Sequence, residues 1–266
     1  MTYQYLERIL EKTWLRNNPD HPYNKWNMKP PDSVEKLFLS RFDNYLKKVA
    51  SLLPTKKIQD KLRNYQNSQF VDTYYELEVG CFLIDNGFEV SFEPTLCDKT
   101  GNPRTPDIFI EKEDIIVEVK TLHESDKVKK GKESGKVFEF NTSIRIKDII
   151  SNELYKWRKG IKYPLIIVIC PDEIEEPLVT SDDFEAELYR QSNRVVFSHG
   201  KVYWTSDVEY SGRYFLDEGR NALELSGVGL WRRRGRRREI VFYENRNVNK
   251  DSKIPHGRFL DFLKRD

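Results

Sequence analysis

The chain has 266 residues and a mass of 31.7 kDa, long enough for one large or two modest domains. Hydrophobic residues make up 38%, aromatics 13% and charged residues 33%, a composition that excludes a disordered chain and fits a globular one. The net charge of +2 demands no polyanionic partner. The longest apolar run, Leu165–Cys170, has six residues against the ~20 needed to cross a bilayer.

Three cysteines without a C-x-x-C pair exclude a disulfide framework and a four-Cys zinc site. The four histidines offer no ligand-pair spacing. With no apolar signal core at the N-terminus, the expected setting is reducing and cytoplasmic, with no membrane partner.

Residues 1–68 read as a helical N-terminal region. Leu6, Ile9, Leu10 and Trp14 form an apolar stripe, and the stretch 17–31, with four prolines and four asparagines, interrupts it. Ser33 is placed to cap a second helix, along which Leu37, Phe38, Phe42, Tyr45, Leu46 and Val49 recur at helical spacing. A short polar helix spans 55–67.

From 69 to 171 helix and strand alternate. Helix 71–86 ends at Gly87, strand 88–92 follows, and a turn-rich loop leads to two short strands, 107–110 and 115–120. Their four-residue connection suits an antiparallel hairpin. Ile144, Ile146, Ile149, Ile150, Leu154 and Trp157 mark another helix, and 163–170 is a continuous apolar strand of the kind buried on both faces. The order predicts an α/β fold with a mixed sheet and at least one parallel crossover. Residues 172–266 form an α+β C-terminal extension with an acidic helix, several short strands and a basic segment.

The chemistry concentrates in Thr105-Pro106-Asp107-Ile108-Phe109-Ile110 and, seven residues on, Glu118-Val119-Lys120. Residues two apart on a strand face the same way, so Glu118 and Lys120 project together, and a hairpin brings Asp107 beside them. Two hard oxygen ligands with room for water and phosphate suit Mg²⁺ or Mn²⁺. The plain alternative is a same-face ion pair on an amphipathic strand, worth little. The apolar Ile115-Ile116-Val117 and Val119 argue for burial, where two charges require a purpose.

This pattern resembles the restriction-endonuclease-like superfamily, the Pro-Asp…(Asp/Glu)-X-Lys nucleases, and within it the Holliday-junction-resolvase and Mrr kinds. The likeness covers about residues 70–170 and includes Tyr75-Glu76 standing eleven residues before Gly87-Phe88-Glu89-Val90. It implies a restriction-endonuclease-like core, a mixed central β-sheet flanked by helices, between the helical N-terminal and β-rich C-terminal extensions. By the same resemblance Asp107 and Glu118 bind metal with the Val119 carbonyl, Lys120 serves the nucleophilic water, and Glu76 holds metal-bound waters. Glu76 and Glu78 sit about 200° apart on a helix and cannot both face the site; the resemblance favours Glu76. Glu93 and Glu111, near strand ends, read first as solvent-exposed and only second as acidic groups within reach of the metal, and Asp98 and Asp114 read as turn residues.

The implied activity is metal-dependent phosphodiester hydrolysis, with DNA preferred to RNA as substrate. The expected nucleic-acid contacts are Lys127, Lys129, Lys130, Lys132 and Lys136 after the catalytic strand, then Arg145, Lys147 and Lys156 on the following helix. Arg232, Arg233, Arg234, Arg236, Arg237 and Arg238 form the second basic segment, with Trp231 available to stack on a base. The same arginines read equally as two strand ends meeting at Gly235. His123 is a candidate to assist the leaving group, or a polar surface residue. A homodimer follows only by analogy, since two strands need two sites. The competing readings are a catalytically silent nucleic-acid-binding or assembly protein and an RNA nuclease or defence effector gated by its flanking regions.

Overall fold

A computed structural model describes residues 3–53, 55–64, 67–123, 142–157, 160, 162–172, 188, 194–198, 201–205, 225–234, 237–245, 253–255 and 257–263. The N-terminal region is a set of helices: α1 (Gln4–Leu10), α2 (Lys12–Asn17), α3 (Pro22–Asn27), α4 (Val34–Val49) and α5 (Thr55–Leu62). One of them, α3, lies within the proline-rich stretch expected to be a break. His21 caps α3 by accepting the Tyr23 N–H, and Pro22 stands in the first turn, where its missing N–H costs nothing. Ser33 caps α4 as expected, its hydroxyl accepting the Lys36 N–H at 3.2 Å.

Helix α6 (Asn67–Asp85) lies between α4 and the sheet, and its aromatic residues explain why. Tyr74 stacks on Phe38 at 3.7 Å between ring centroids, and Phe70 meets Phe42 edge-on. Gly87 ends the helix with φ 83, while the Phe88 N–H returns to the Leu83 carbonyl. The Arg258 guanidinium, at the start of a short C-terminal helix (Arg258–Leu263), donates to the Asn86 carbonyl at 2.7 Å.

Among the described residues six strands form the central sheet: β1 (Val90–Phe92), β4 (Ile108–Ile110), β5 (Ile115–Leu122), β6 (Leu165–Pro171), β9 (Leu225–Arg234) and β10 (Arg237–Glu244), adjacent in that order. Two ribbons, β2 (Leu96–Cys97) with β3 (Pro103–Arg104) and β7 (Arg194–Ser198) with β8 (Lys201–Thr205), stand apart from it. The β4–β5 pair is antiparallel, with Ile108 opposite Val117, and Asp114 takes the turn conformation at φ 54. Helix α7 (Thr142–Lys156) makes the crossover to β6, which runs parallel to β5. β6 runs parallel to β9 as well, so the sheet continues past Pro171 into the C-terminal extension. The protein is mixed α/β.

Strand parity divides the core. Ile115, Val117 and Val119 face α6 and the N-terminal helices, while Ile116 and Leu122 face α7 with Ile146, Ile150, Leu154 and Trp157. Glu118 and Lys120 share the second parity, so the fold presents both to α7. Among the described residues no helix is long and apolar enough to cross a membrane.

Candidate functional site

The site lies where the β4–β5 ladder runs out. Ile108↔Val117 is its last pair, so Asp107 hangs off the start of β4 beside Glu118 and Val119. One Asp107 oxygen, Oδ2, accepts the Val119 N–H at 2.8 Å and the Lys120 ammonium at 2.9 Å. In a strand a residue's N–H and C=O point to the same side, so the Val119 carbonyl also faces Asp107, beyond the last β4 partner.

Glu118 is fully buried, yet both of its oxygens are held. Oε1 accepts from Lys156 Nζ at 2.6 Å and Trp157 Nε1 at 3.0 Å, and Oε2 accepts from Lys120 at 3.2 Å. Lys156 and Trp157 share a face of α7 with Glu153, whose carboxylate lies 3.6 Å from both Lys120 and Lys156. Asp107 and Glu118 come within hydrogen-bonding reach of one another.

A second group of charges closes the site from the N-terminal side. Glu76 on α6 pairs with Lys61 of α5 at 2.7 Å. Lys61 also pairs with Glu93, which Lys57 reaches at 2.9 Å. Glu93 follows β1 with φ 47, a left-handed conformation costly for a residue other than glycine, and its N–H donates to the Asp107 carbonyl at 3.0 Å. Glu78 turns the other way, accepting the Tyr45 hydroxyl at 2.7 Å.

Among the described residues five carboxylates (Glu76, Glu93, Asp107, Glu118, Glu153) thus meet four ammonium groups (Lys57, Lys61, Lys120, Lys156). The excess negative charge appears as a retained proton. Burial and the neighbouring Asp107 charge push Glu118 well above the carboxylate range, to about 8. Burial and Asp107 raise Glu76 in the same way. For Asp107 burial acts in the same direction, but the Lys120 ammonium and the hydrogen bond from Glu118 outweigh it and hold the group below its ordinary value. Lys120 is held charged: burial opposes this, and Asp107, Glu118 and Glu153 overcome it. A carboxylate pair with split proton affinities, sharing one proton, is a place where a cation can replace that proton.

No protein-family model matches the chain, and no curated protein or solved structure is similar to it. The site therefore rests on its own geometry. No group of three or more His, Cys, Asp or Glu side chains among the described residues is arranged to hold a metal by itself. The donors available are two carboxylates and one strand carbonyl, a hard-oxygen set that leaves positions for water, as Mg²⁺ prefers.

The expected nucleic-acid contacts fare differently. Lys127, Lys129, Lys130, Lys132, Lys136 and Arg236 lie outside the described residues, as do the side chains of Arg233, Arg234 and Arg237. Lys156 points into the site rather than out toward a remote backbone. Arg145 and Lys147 sit further toward the N-terminus of α7, and Arg232 is half-buried on β9. Arg238 is tied to Asp85 at 3.1 Å and packs over Tyr45 and Phe82. Trp231 is buried against Phe82, so it offers no base-stacking face. Asp98 accepts the N–H groups of Thr100 and Asn102, the turn role expected.

Lys61, Glu153 and Trp157 went unread as site residues. A signal existed for the latter two: they flank the apolar stripe Ile146, Ile150, Leu154 of a helix following the Glu-X-Lys strand, at i and i+4.

Proposed function

We propose that this chain is a metal-dependent nuclease that hydrolyses phosphodiester bonds, DNA in preference to RNA. One observation carries the reading. Asp107 and Glu118 are pressed together at an open strand end, with Lys120 bonded to both. Like-charged carboxylates are costly to bury, and the arrangement has a use where a divalent cation takes the place of the shared proton. Asp107, Glu118 and the Val119 carbonyl would hold Mg²⁺ or Mn²⁺. Such an ion lowers the pKa of a bound water and neutralises charge on the phosphodiester.

The remaining roles belong to the chain's own groups. Lys120, beside both carboxylates, would orient the attacking hydroxide and face a non-bridging phosphate oxygen. Lys156 and Trp157 keep Glu118 aimed toward Asp107. Glu76, beside Asp107 and balanced by Lys61, would accept hydrogen bonds from waters around such an ion. The attacking water loses its proton to solvent, hydroxide adds to phosphorus, the bond to the leaving oxygen breaks, and that oxygen takes up a proton from solvent water. Replacing the shared proton with a divalent ion turns the site's formal charge from about zero to about +1, matched to one phosphodiester.

The test is cleavage of supercoiled plasmid and labelled single strands with Mg²⁺, Mn²⁺ or EDTA, comparing wild type with Asp107→Asn. Cleavage that needs metal and disappears in the variant supports the reading; equal cleavage by both overturns it. A second reading has its own observation: Lys120 already supplies a cation to both carboxylates, as a catalytically silent nucleic-acid-binding protein would allow. Salt-sensitive DNA binding, unchanged in Lys120→Ala and without cleavage by either form, would favour it.

A further inference from the structure

Where β5 and β6 leave the sheet on the α6 side, His123 stands between two carboxylates. Its Nδ1 is 2.9 Å from Asp172 Oδ2 and its Nε2 is 2.8 Å from Asp72 Oδ1. An ionised carboxylate only accepts, so both contacts are hydrogen bonds only when the ring carries both protons. The three residues come from three elements. His123 follows β5, Asp172 follows β6 with its N–H toward the Leu122 carbonyl, and Asp72 lies near the start of α6.

The clamp is buried where it matters. Asp172 is 2% exposed and the His123 side chain 18%. Asp72 is one helical turn before Glu76, so whatever fixes Asp72 also fixes the carboxylate beside Asp107. A general acid needs a ring nitrogen facing its substrate; here both nitrogens are committed. A plain surface residue would not join three elements.

We propose that His123, clamped as an imidazolium between Asp72 and Asp172, is a positioning residue that fixes the start of α6 against the ends of β5 and β6 and so sets where Glu76 stands beside Asp107. The clamp stands on its own geometry; only its effect on turnover rests on the nuclease reading. Among the described residues the charged groups facing the ring are Asp72 from α6 and Asp172 from the end of β6. Burial disfavours the charged ring, but hydrogen bonds to these carboxylates outweigh it and raise His123 to about 9.

The test follows the imidazole signals of the full chain by NMR from pH 5 to 10, with His123 identified by its loss in His123→Gln. A titration midpoint well above the ordinary ~6.5, falling by at least one unit in Asp72→Asn, is expected. A midpoint near the ordinary value, or one that Asp72→Asn leaves in place, overturns the clamp. Hydrogen exchange on His123→Gln reads the positioning: amides of residues 72–76 should exchange at least tenfold faster, and unchanged protection overturns it. In Mn²⁺-dependent cleavage, His123→Gln should lower kcat with KM little changed, and His123→Arg, which keeps a cation for two carboxylates, should recover much of the loss. Equal kcat for wild type and His123→Gln overturns the link to Glu76. A wild type without cleavage or Mn²⁺ binding removes the nuclease reading and leaves the NMR and exchange arms to decide the clamp.

Discussion

Helix α6 carries two glutamates two positions apart and gives them opposite surroundings. Glu78 turns to the helical layer, where the Tyr45 hydroxyl donates to it and ties α6 to α4. Glu76 turns to the strand ends, where Asp107 crowds it and Lys61 balances it. One is a hydroxyl donating to a single carboxyl group, an arrangement that holds two helices in register. The other gathers like charges in a buried place, which costs stability and is retained where a cation or a reacting group is to be bound. The same contrast separates the two ends of α6. Near its C-terminus Asp85 meets two cations, Lys48 and Arg238, in half-exposed surroundings. Around Glu76, among the described residues, acids outnumber bases.

The largest effect expected is on Asp107. Asp107→Asn removes the negative charge of a ligand and of the oxygen that accepts from Val119 N–H and Lys120, and should lower metal-dependent cleavage on the order of 10³-fold, measured by initial rates on plasmid. The comparison on α6 is tested next. Glu76→Gln should weaken Mn²⁺ binding by roughly 10–100-fold in calorimetric titration with little change in Tm. Glu78→Leu should leave Mn²⁺ binding intact and cost about 1–2 kcal/mol in urea unfolding, because the Tyr45 hydroxyl loses its acceptor. The reverse pattern would mean that Glu78 serves the site and Glu76 the packing. Smaller again is Trp157→Phe, which keeps the ring and removes one donor to Glu118 Oε1; Mn²⁺ affinity should fall about tenfold. No loss would make Trp157 a packing residue alone.

What the sequence makes legible is what local chemistry decides. The four residues between β4 and β5 dictate an antiparallel pair and so the meeting of Asp107 with Glu118. A helix between β5 and β6 dictates a parallel one. Ser33 and Gly87 mark helix ends by side-chain capping and by a positive φ. The misses are tertiary. Lys61 reaches Glu76 because α5 packs on α6, and no spacing encodes that contact. β9 reads poorly as a strand because Gly227 and Gly229 interrupt it, yet these glycines make room for Phe242 and Ile240 of β10: a Cβ at Gly227 would lie 2.4 Å from the Phe242 ring. Trp231 looks like an exposed neighbour of arginines, but alternation turns it inward while Arg232 faces the other way. Proline at position 22 reads as a break and in fact opens a helix.

The smallest predicted effect is the most direct on the shared proton. Burial and the Asp107 charge push Glu118 from its ordinary value near 4.5 up to about 8 in the folded chain, so between these values the folded chain holds a proton that the unfolded chain releases. Metal-free stability should therefore fall as pH rises from about 4.5 through about 8, and Tm should decline across that range. A divalent ion competes with the same proton, so its binding tightens as the proton leaves. The increase in Tm given by a fixed Mn²⁺ concentration should grow by a few degrees from pH 6 to pH 8.5, read by differential scanning calorimetry. In Glu118→Gln, which carries no proton to displace, both slopes should flatten. If the Mn²⁺-dependent rise in Tm is the same at both pH values in the wild type, the ion does not bind where Asp107 and Glu118 meet.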